Sequence, residues 1–391
     1  MTPAARYGAA IAILDAIIAG AAAEKALTNW ARSSRFAGSG DRAAIRDIVY
    51  DGLRRMRSAG AAGGGADGRA IALGLLRLAG EDPDQVFTGL GYAPTPLSEA
   101  ERQTPFSPET WPEAVRLDIP DWLEAPLKAS LGADFDPVLE RMQTRAPVFL
   151  RVNPRKATRD QAIMALAADG IAAHPCDLAP CALEVTANPR RISNASAYRD
   201  GMVELQDAAS QAVIAALDLP GTGRILDYCA GGGGKALAMA ASSDAKITAH
   251  DANPARMRDI APRAARAGAS IRMAETRDLA AMPPFDLVLC DVPCSGSGAW
   301  RRDPGAKWRL SEADLHGLLR MQADILDRAA DLVATGGSLG YITCSLLEAE
   351  NAAQITAFAA RDKRFRLILQ RRLLPLDGGD GLFVAQLGRV E

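Results

Sequence analysis

Asp227-Tyr228-Cys229-Ala230-Gly231-Gly232-Gly233-Gly234-Lys235 is the stretch on which the fold turns. It follows a strand-like run, Arg224–Asp227, and leads into a helical pattern over 234–242, so a strand passes through a glycine loop into a helix. Glycines at such a turn let backbone N–H groups and a helix N-terminus approach a ligand closely. A phosphate loop of the Walker type fits poorly. Its first glycine would fall on Cys229, and Ala236 stands where a magnesium-binding hydroxyl belongs. A dinucleotide loop fits only loosely, through Gly231, Gly233 and Ala236. A tight turn without a ligand is the plainer alternative.

Outward from this loop the text alternates. Strand Lys246–His250 precedes a helix over Pro254–Ala267 that Gly268 stops. Strands at Ile271–Ala274 and Asp286–Cys290 follow. A long helix around Ala313–Val333 then leads to a strand at Leu339–Thr343. Strands separated by helices predict a mostly parallel sheet covered on both faces. In such sheets ligands sit at the carboxyl ends of the strands. Asp251 ends the second strand, 20 residues after Gly231, where a carboxylate typically accepts from ribose hydroxyls or caps the next helix. The fourth strand ends in Asp291-Val292-Pro293-Cys294-Ser295-Gly296-Ser297-Gly298. The fifth ends in Thr343-Cys344-Ser345, followed by Glu350-Asn351. Two cysteines over one cleft point to chemistry, whereas Cys229 and Cys290 lie in or just after apolar runs and suit packing, as do Cys176 and Cys181.

Toward the N-terminus the pattern changes. Residues 4–58 show helical periodicity, with Ile11, Leu14, Ile17 and Ile18 on one face and Ile45, Ile48, Val49 and Leu53 on another. A glycine-rich break from Gly60 to Gly68 precedes a helix over Ala70–Ala79. The proline-rich segment Ala93–Pro120 predicts an irregular connection, and short helices follow near Trp122–Leu131 and Phe135–Gln143. Strand-like Val148–Val152, a capping box at Thr158–Gln161 opening a helix to Asp169, and strand-like pieces near Leu183–Val185 and Met202–Leu205 predict a small α/β module. The expected division is a helical region over 1–143, the α/β module over 144–205 and a catalytic domain over 206–391.

With 391 residues, two or three domains are expected. A hydrophobic fraction of 48% and 24% charged residues exclude wholesale disorder. A net charge of −2 argues against a protein that coats nucleic acid by bulk charge, without excluding a local basic groove. Only 7 of the 45 basic residues are lysine, and arginine forks suit phosphates and stack on bases. The six cysteines contain no CxxC pair, so neither a disulfide framework nor a metal site is expected, and reduced thiols fit a cytoplasmic setting. The apolar run Gly8–Ala23 is interrupted by Asp15 and too short to span a bilayer.

The run DVPCSGSG (291–298), followed by RRDPGAKW (301–308) and the downstream TCS (343–345), closely resembles the Sun-type (Fmu/Sun, Nop-related) RNA cytosine-5 methyltransferases. Arg151-Val152-Asn153, Gly201, Gln206-Asp207 and Ser210-Gln211 resemble that family's entry segment. The first ~90 residues, through Asp41-Arg42 and Gly52-Leu53-Arg54-Arg55, resemble the NusB-like helical domain of the bacterial small-subunit ribosomal RNA branch. The resemblance implies a Rossmann-like methyltransferase domain, preceded by a small α/β module and an all-helical NusB-like domain. It implies S-adenosylmethionine as cofactor and RNA as partner, 16S ribosomal RNA before transfer RNA; no exposed coiled-coil heptad is visible, so a monomer is expected. The family loop reads Ala-Pro-Gly-Gly-Lys-Thr, and here Gly231, Gly232 and Ala236 replace Ala, Pro and Thr.

By that resemblance Cys344 is the nucleophile, Cys294 assists release, and Asp291 grips the base, while Lys235 supplies positive charge near the thiolate. Cofactor contacts are expected from Cys229, Ala230 and Gly231 through Gly234 (that is, with Gly232 and Gly233), and from Lys235. Asp251, Arg256, Asp278 and Asp291 complete the expected set. Arg301, Arg302 and Lys307 are expected along an RNA phosphate path, with Trp300 or Trp308 as possible base-stacking residues. Arg54, Arg55 and Arg57, and the cluster Arg361, Lys363, Arg364 and Arg366, suit solvated faces. A transfer RNA substrate, or a non-catalytic RNA-binding scaffold, is the alternative. DNA cytosine methylation would leave Cys344 idle, a nicotinamide dehydrogenase would not need two cleft cysteines, and amino-group methyltransferases carry a different motif at Asp291–Cys294.

Overall fold

A computed structural model describes residues 1–390. The chain divides into two compact units, one of Met1–Arg145 with Trp300–Leu310, the other of Ala146–Ala299 with the residues from Ser311 onward.

The first unit is helical. Helices span Pro3–Ile18, Ala23–Ser33, Ser39–Arg54, Met56–Gly63 and Gly68–Ala79. Leu14, Ile45, Val49, Leu53 and Ile71 meet in their core, each such burial contributing about 1.5–3 kcal/mol. The expected glycine break at Gly60–Gly68 is largely helix. A Cβ at Gly63 would lie 1.8 Å from the Ala70 carbonyl oxygen, and one at Gly74 1.7 Å from that of Ala59. These glycines let two helices pack backbone to backbone, and the true turn is confined to residues 64–67. The proline-rich connection holds short helices at Glu99–Arg102 and Glu113–Arg116.

The second unit contains two sheets. In the smaller, β1 (Val148–Val152), β2 (Ala172–Pro175), β3 (Ala182–Ala187) and β4 (Val203–Leu205) pair in the order β2-β3-β1-β4, every pairing antiparallel. Thr158 caps the helix Arg159–Ala168, whose Leu166 packs with Leu150, Val152 and Leu183. Strand β2 escaped the sequence reading because it is a largely exposed edge of four residues ending in proline.

The larger sheet comprises β5 (Arg224–Asp227), β6 (Lys246–His250), β7 (Ile271–Ala274), β8 (Phe285–Asp291), β9 (Val333–Thr343), β10 (Phe365–Leu373) and β11 (Leu382–Arg389). Their order is β10-β11-β9-β8-β5-β6-β7. The five strands β5 to β9 run parallel, as expected, and β11 and β10 close one edge antiparallel. The long helix stops at Ala330, and Val333 begins β9 instead of ending the helix. The helix expected over Pro254–Ala267 is a 3-10 turn at Pro254–Met257 followed by a helix at Ile260–Ala267. Strand order reverses where β5 lies between β6 and β8, which opens a crevice beyond the carboxyl ends of β5 and β8. Asp227 and Asp291 end those two strands.

Candidate active site

Both cysteine loops leave the carboxyl ends of adjacent parallel strands, β8 and β9, so their sulfurs converge. Cys294 Sγ lies 3.4 Å from Cys344 Sγ. The contact with Cys344, together with burial, holds the Cys294 thiol well above the usual range, so Cys294 keeps its proton near neutrality. Lys235, first turn of the helix after the glycine loop, reaches Asp291 Oδ2 at 2.6 Å. Burial opposes the Lys235 ammonium, but the charges of Asp291, Cys344 and Asp227 outweigh it and raise its pKa. Cys294, Cys344, Lys235 and Asp291 therefore form one cluster.

A buried carboxylate that the sequence reading passed over fixes the two loops. Glu350 is fully buried and accepts from the Ser295 amide (2.8 Å), Ser295 Oγ (2.5 Å), Gln322 Nε2 (2.9 Å) and Ser345 Oγ (2.5 Å). It thus ties the residue after Cys294 to the residue after Cys344. The Gly298 amide donates to the Cys344 carbonyl at 2.9 Å, and Asn351 Nδ2 donates to the Ser345 carbonyl at 2.9 Å. The sequence signal was present as Glu350-Asn351, but only the fold shows that it faces both loops.

The glycine loop is built for close approach. Gly231 and Gly233 adopt left-handed φ of +50° and +78°, and a Cβ at Gly233 would come 2.8 Å from Ile260. Asp251 accepts from the Gly231 amide (3.0 Å) and the Asn253 amide (2.9 Å), and Arg256 lies 3.1 Å from its Oδ2. Arg263 donates to the Gly232 carbonyl. His250, absent from the expected set, donates from Nδ1 to the Tyr228 carbonyl (2.7 Å) and accepts at Nε2 from Thr276 Oγ1 (2.8 Å), the tautomer that satisfies both partners. Asp278 is exposed on the short helix after β7. Cys229 packs against the sheet core beside fully buried Cys290, and burial first, then Asp227, pushes the Cys229 thiol up.

The residues present fit a cationic, ribose-bearing cofactor. The two Asp227 oxygens are buried without a hydrogen-bond partner beside a loop whose backbone is open at glycine, and Asp251 stands 20 residues beyond Gly231 in an acceptor position. A positive group entering beside the loop would add to the counter-charge at Asp227, whose burial Lys235 offsets only in part.

The three expected RNA contacts separate. Arg302 is exposed, whereas Arg301 and Lys307 are buried. Lys307 Nζ donates to the Arg54 carbonyl at 3.4 Å and lies over the Trp308 ring, its ammonium 4.5 Å from the centroid. Burial lowers its pKa to about 8, against the opposing charge of Asp118. Of the expected phosphate path, only Arg302 therefore faces solvent; Arg301 and Lys307 are buried, with Lys307 at a helix-end carbonyl. Trp300 is buried, and the Trp308 indole donates to the Leu53 carbonyl at 2.7 Å. Arg54, expected on a solvated face, is buried and donates to the Arg301 carbonyl at 2.9 Å. Arg361 and Arg364 are paired with Asp327, Asp331 and Asp362.

Residues 214–387 match the family 16S rRNA methyltransferase RsmB/F, and residues 119–191 match a RsmF/B-like ferredoxin-like domain. The chain is 35% identical over 286 residues to the ribosomal RNA small subunit methyltransferase B of Xylella fastidiosa strain 9a5c, covering 68% of each. It is 35% identical over 286 residues to the protein of the same name from strain Temecula1, covering 68% of this chain. That match spans 66% of the relative's own length. Among solved structures, a methyltransferase homolog from Pyrococcus horikoshii superposes with a TM-score of 0.63 at 23% identity, over 73% of this chain and all of the homolog, and shares the fold. Among the described residues no helix is long and apolar enough to cross a membrane, and no group of His, Cys, Asp and Glu is arranged to hold a metal ion.

Proposed function

Because the chain belongs to the RsmB/F family of 16S rRNA methyltransferases, we propose that it transfers a methyl group from S-adenosylmethionine to C5 of a cytosine in small-subunit ribosomal RNA. The observation that carries this reading is the 3.4 Å pairing of Cys294 and Cys344 beside the Lys235–Asp291 ion pair. Cytosine C5 is a poor nucleophile, and a sulfur added at C6 raises its electron density. Cys344 forms the S–C6 bond, and the π electrons of the C5–C6 double bond move onto the ring. Asp291 meets the N3 and N4 edge of the base, held by its ion pair with Lys235, whose ammonium also interacts with Cys344. S-adenosylmethionine, when bound, supplies the electrophilic methyl group. Residues 231–234 and Asp251 are the expected cradle, and Asp227 the expected counter-charge.

After C5 gains its substituent, its proton passes to water, the C5–H electron pair re-forms the C5–C6 double bond, and the S–C6 pair leaves with sulfur, returning Cys344 as thiolate. Cys294, protonated and in contact with Cys344, is placed to assist that release. The target base must leave its stack to reach Cys344. The curated relatives' names favour ribosomal over transfer RNA as substrate.

A covalent trap tests the assignment. Cys294→Ala is expected to accumulate a protein–RNA adduct on denaturing gels with S-adenosylmethionine and unmodified small-subunit RNA, and Cys344→Ala to form none. An adduct that depends on Cys294 would reverse the two roles. Methylation by the unaltered protein with no adduct in either variant would remove the two-cysteine mechanism.

A further inference from the structure

The helical unit carries an aromatic pair far from the cysteines in sequence. Phe36 and Tyr92 are 70% and 83% exposed, with rings nearly parallel (20°) and centroids 6.5 Å apart. That lies toward the long end of the roughly 4.5–7 Å range of paired rings, with a centroid separation about twice the ~3.4 Å rise of successive stacked bases. Two exposed rings held this way cost apolar hydration that packing elsewhere in the unit would remove.

The arrangement is built. Gly89 and Gly91, with φ of +69° and +61°, shape the turn that carries Leu90 and Tyr92 outward. A Cβ at Gly8 would come 2.5 Å from the Tyr92 carbonyl oxygen, so only glycine there admits the turn against helix Pro3–Ile18. Beneath the rings lies a cavity of about 460 Å³ lined by Phe36, Tyr92, Trp30, Pro94 and Arg69, within the range that holds a small ligand. Arg69 is committed to Glu101 at 2.6 Å. Arg35, next to Phe36, and Arg32, one turn earlier, are exposed and meet no acid among the described residues. Two exposed, nearly parallel rings, with unneutralised arginines close to Phe36 in the chain, match an unpaired nucleotide better than a protein side chain, which would need no phosphate partner.

We propose that Phe36 and Tyr92 clamp one unpaired RNA base, with Arg32 and Arg35 taking the adjoining phosphates. The choice of RNA as ligand rests on the reading of the chain as an RNA-modifying enzyme. The clamp is a docking site for a single-stranded segment apart from the cytosine that meets Cys344.

The full chain is mixed with a single-stranded oligoribonucleotide of about 8 nucleotides carrying a central 2-aminopurine, whose fluorescence falls when it stacks. Phe36→Ala and Tyr92→Ala are expected to weaken binding about tenfold and abolish the quenching. Tyr92→Phe keeps both. Phe36→Leu retains apolar bulk without a ring and should lose the quenching while thermal unfolding is unchanged, which separates stacking from folding. Arg35→Ala keeps the quenching and lowers the slope of log K against log salt by about 0.7. A Phe36→Ala/Tyr92→Ala double variant that binds and quenches like the unaltered protein overturns the proposal. Methylation of small-subunit RNA is measured on the same preparation. Methylation without ring-dependent quenching removes the clamp and leaves the enzyme reading standing. Ring-dependent quenching without methylation keeps the clamp and removes the proposed chemistry.

Discussion

At Asp227 the chain buries both carboxylate oxygens at the end of β5 without a hydrogen bond to either. Burial first, then the charge of Asp291, lifts its pKa to about 7, while Lys235 and the Ala236 amide pull it down only in part. Glu350, as deeply buried, differs in having four donors to satisfy it. The stability consequence has a definite sign. An acid whose folded pKa lies above its unfolded value near 3.8 binds its proton better when folded. It costs nothing below pH ~4, and the penalty of ionising it grows as the pH rises from about 4 to about 7. Asp227→Asn removes that penalty. The stability of the variant relative to the unaltered chain should therefore be greater at pH 8 than at pH 4, by up to about 4 kcal/mol. Urea unfolding at the two values checks it, and a difference independent of pH would mean that Asp227 ionises without cost. Added S-adenosylmethionine should shrink the difference at pH 8 if its positive charge sits beside Asp227.

At the scale of elements, helix Ser39–Arg54 shows how a segment next to the cysteine motif serves a neighbouring fold. A helix ends with carbonyls that lack partners. Here the Trp308 indole caps Leu53 and the Lys307 ammonium caps Arg54, while the Arg54 guanidinium returns a bond to the Arg301 carbonyl. Trp308→Phe keeps the ring and removes the indole donor, leaving the Leu53 carbonyl unsatisfied. Unfolding of the helical unit should weaken by about 1–2 kcal/mol, and amides near Leu53 and Trp308 should exchange faster. Unchanged exchange at both would show the bond to be dispensable. The same segment marks the limit of sequence reading. The clustered cations Arg301, Arg302 and Lys307 suggested a phosphate path, and nothing local reveals that Lys307 lies within reach of a helix-end carbonyl. Parallel strands β5 to β9 were legible because strand and helix periods alternate with glycine punctuation. Strand β10 was not, since Arg366, Arg371 and Arg372 interrupt its apolar pattern, as suits a charged edge that discourages pairing with another chain. The cysteines, Asp291 and Lys235 were legible from motif spacing, whereas Glu350 as clasp and His250 as loop anchor required contacts across the sheet.

On the scale of the whole molecule, the residues that resembled a family entry segment turn out to fasten the small sheet to the large one within the second unit. Asn153 Nδ2 donates to the Ala267 carbonyl at 2.9 Å, and Arg151 donates to Gln206 Oε1 at 2.7 Å and to the Gly234 carbonyl at 3.0 Å. Lys156 bridges the carbonyls of Asp200 (2.7 Å) and Arg266 (2.8 Å), while Arg266 pairs with Glu204 at 2.6 Å. Gly201 sits in the middle of this seam with φ of +71°, where a Cβ would lie 1.9 Å from the Arg266 carbonyl oxygen. Gly201→Ala thus combines backbone strain of about 1–3 kcal/mol with a clash against backbone, which cannot step aside as a side-chain tip can. A seam of this density makes the two sheets one cooperative body, while the helical unit keeps its own core. Calorimetry should show Gly201→Ala lowering a transition that contains both sheets and leaving the helical transition in place. The Arg151–Gly234 bond reaches the first residue of the helix after the glycine loop, so the same variant should weaken S-adenosylmethionine binding through that loop. Separate melting of the small sheet, with the large sheet and cofactor affinity unchanged, would instead make the seam a passive contact.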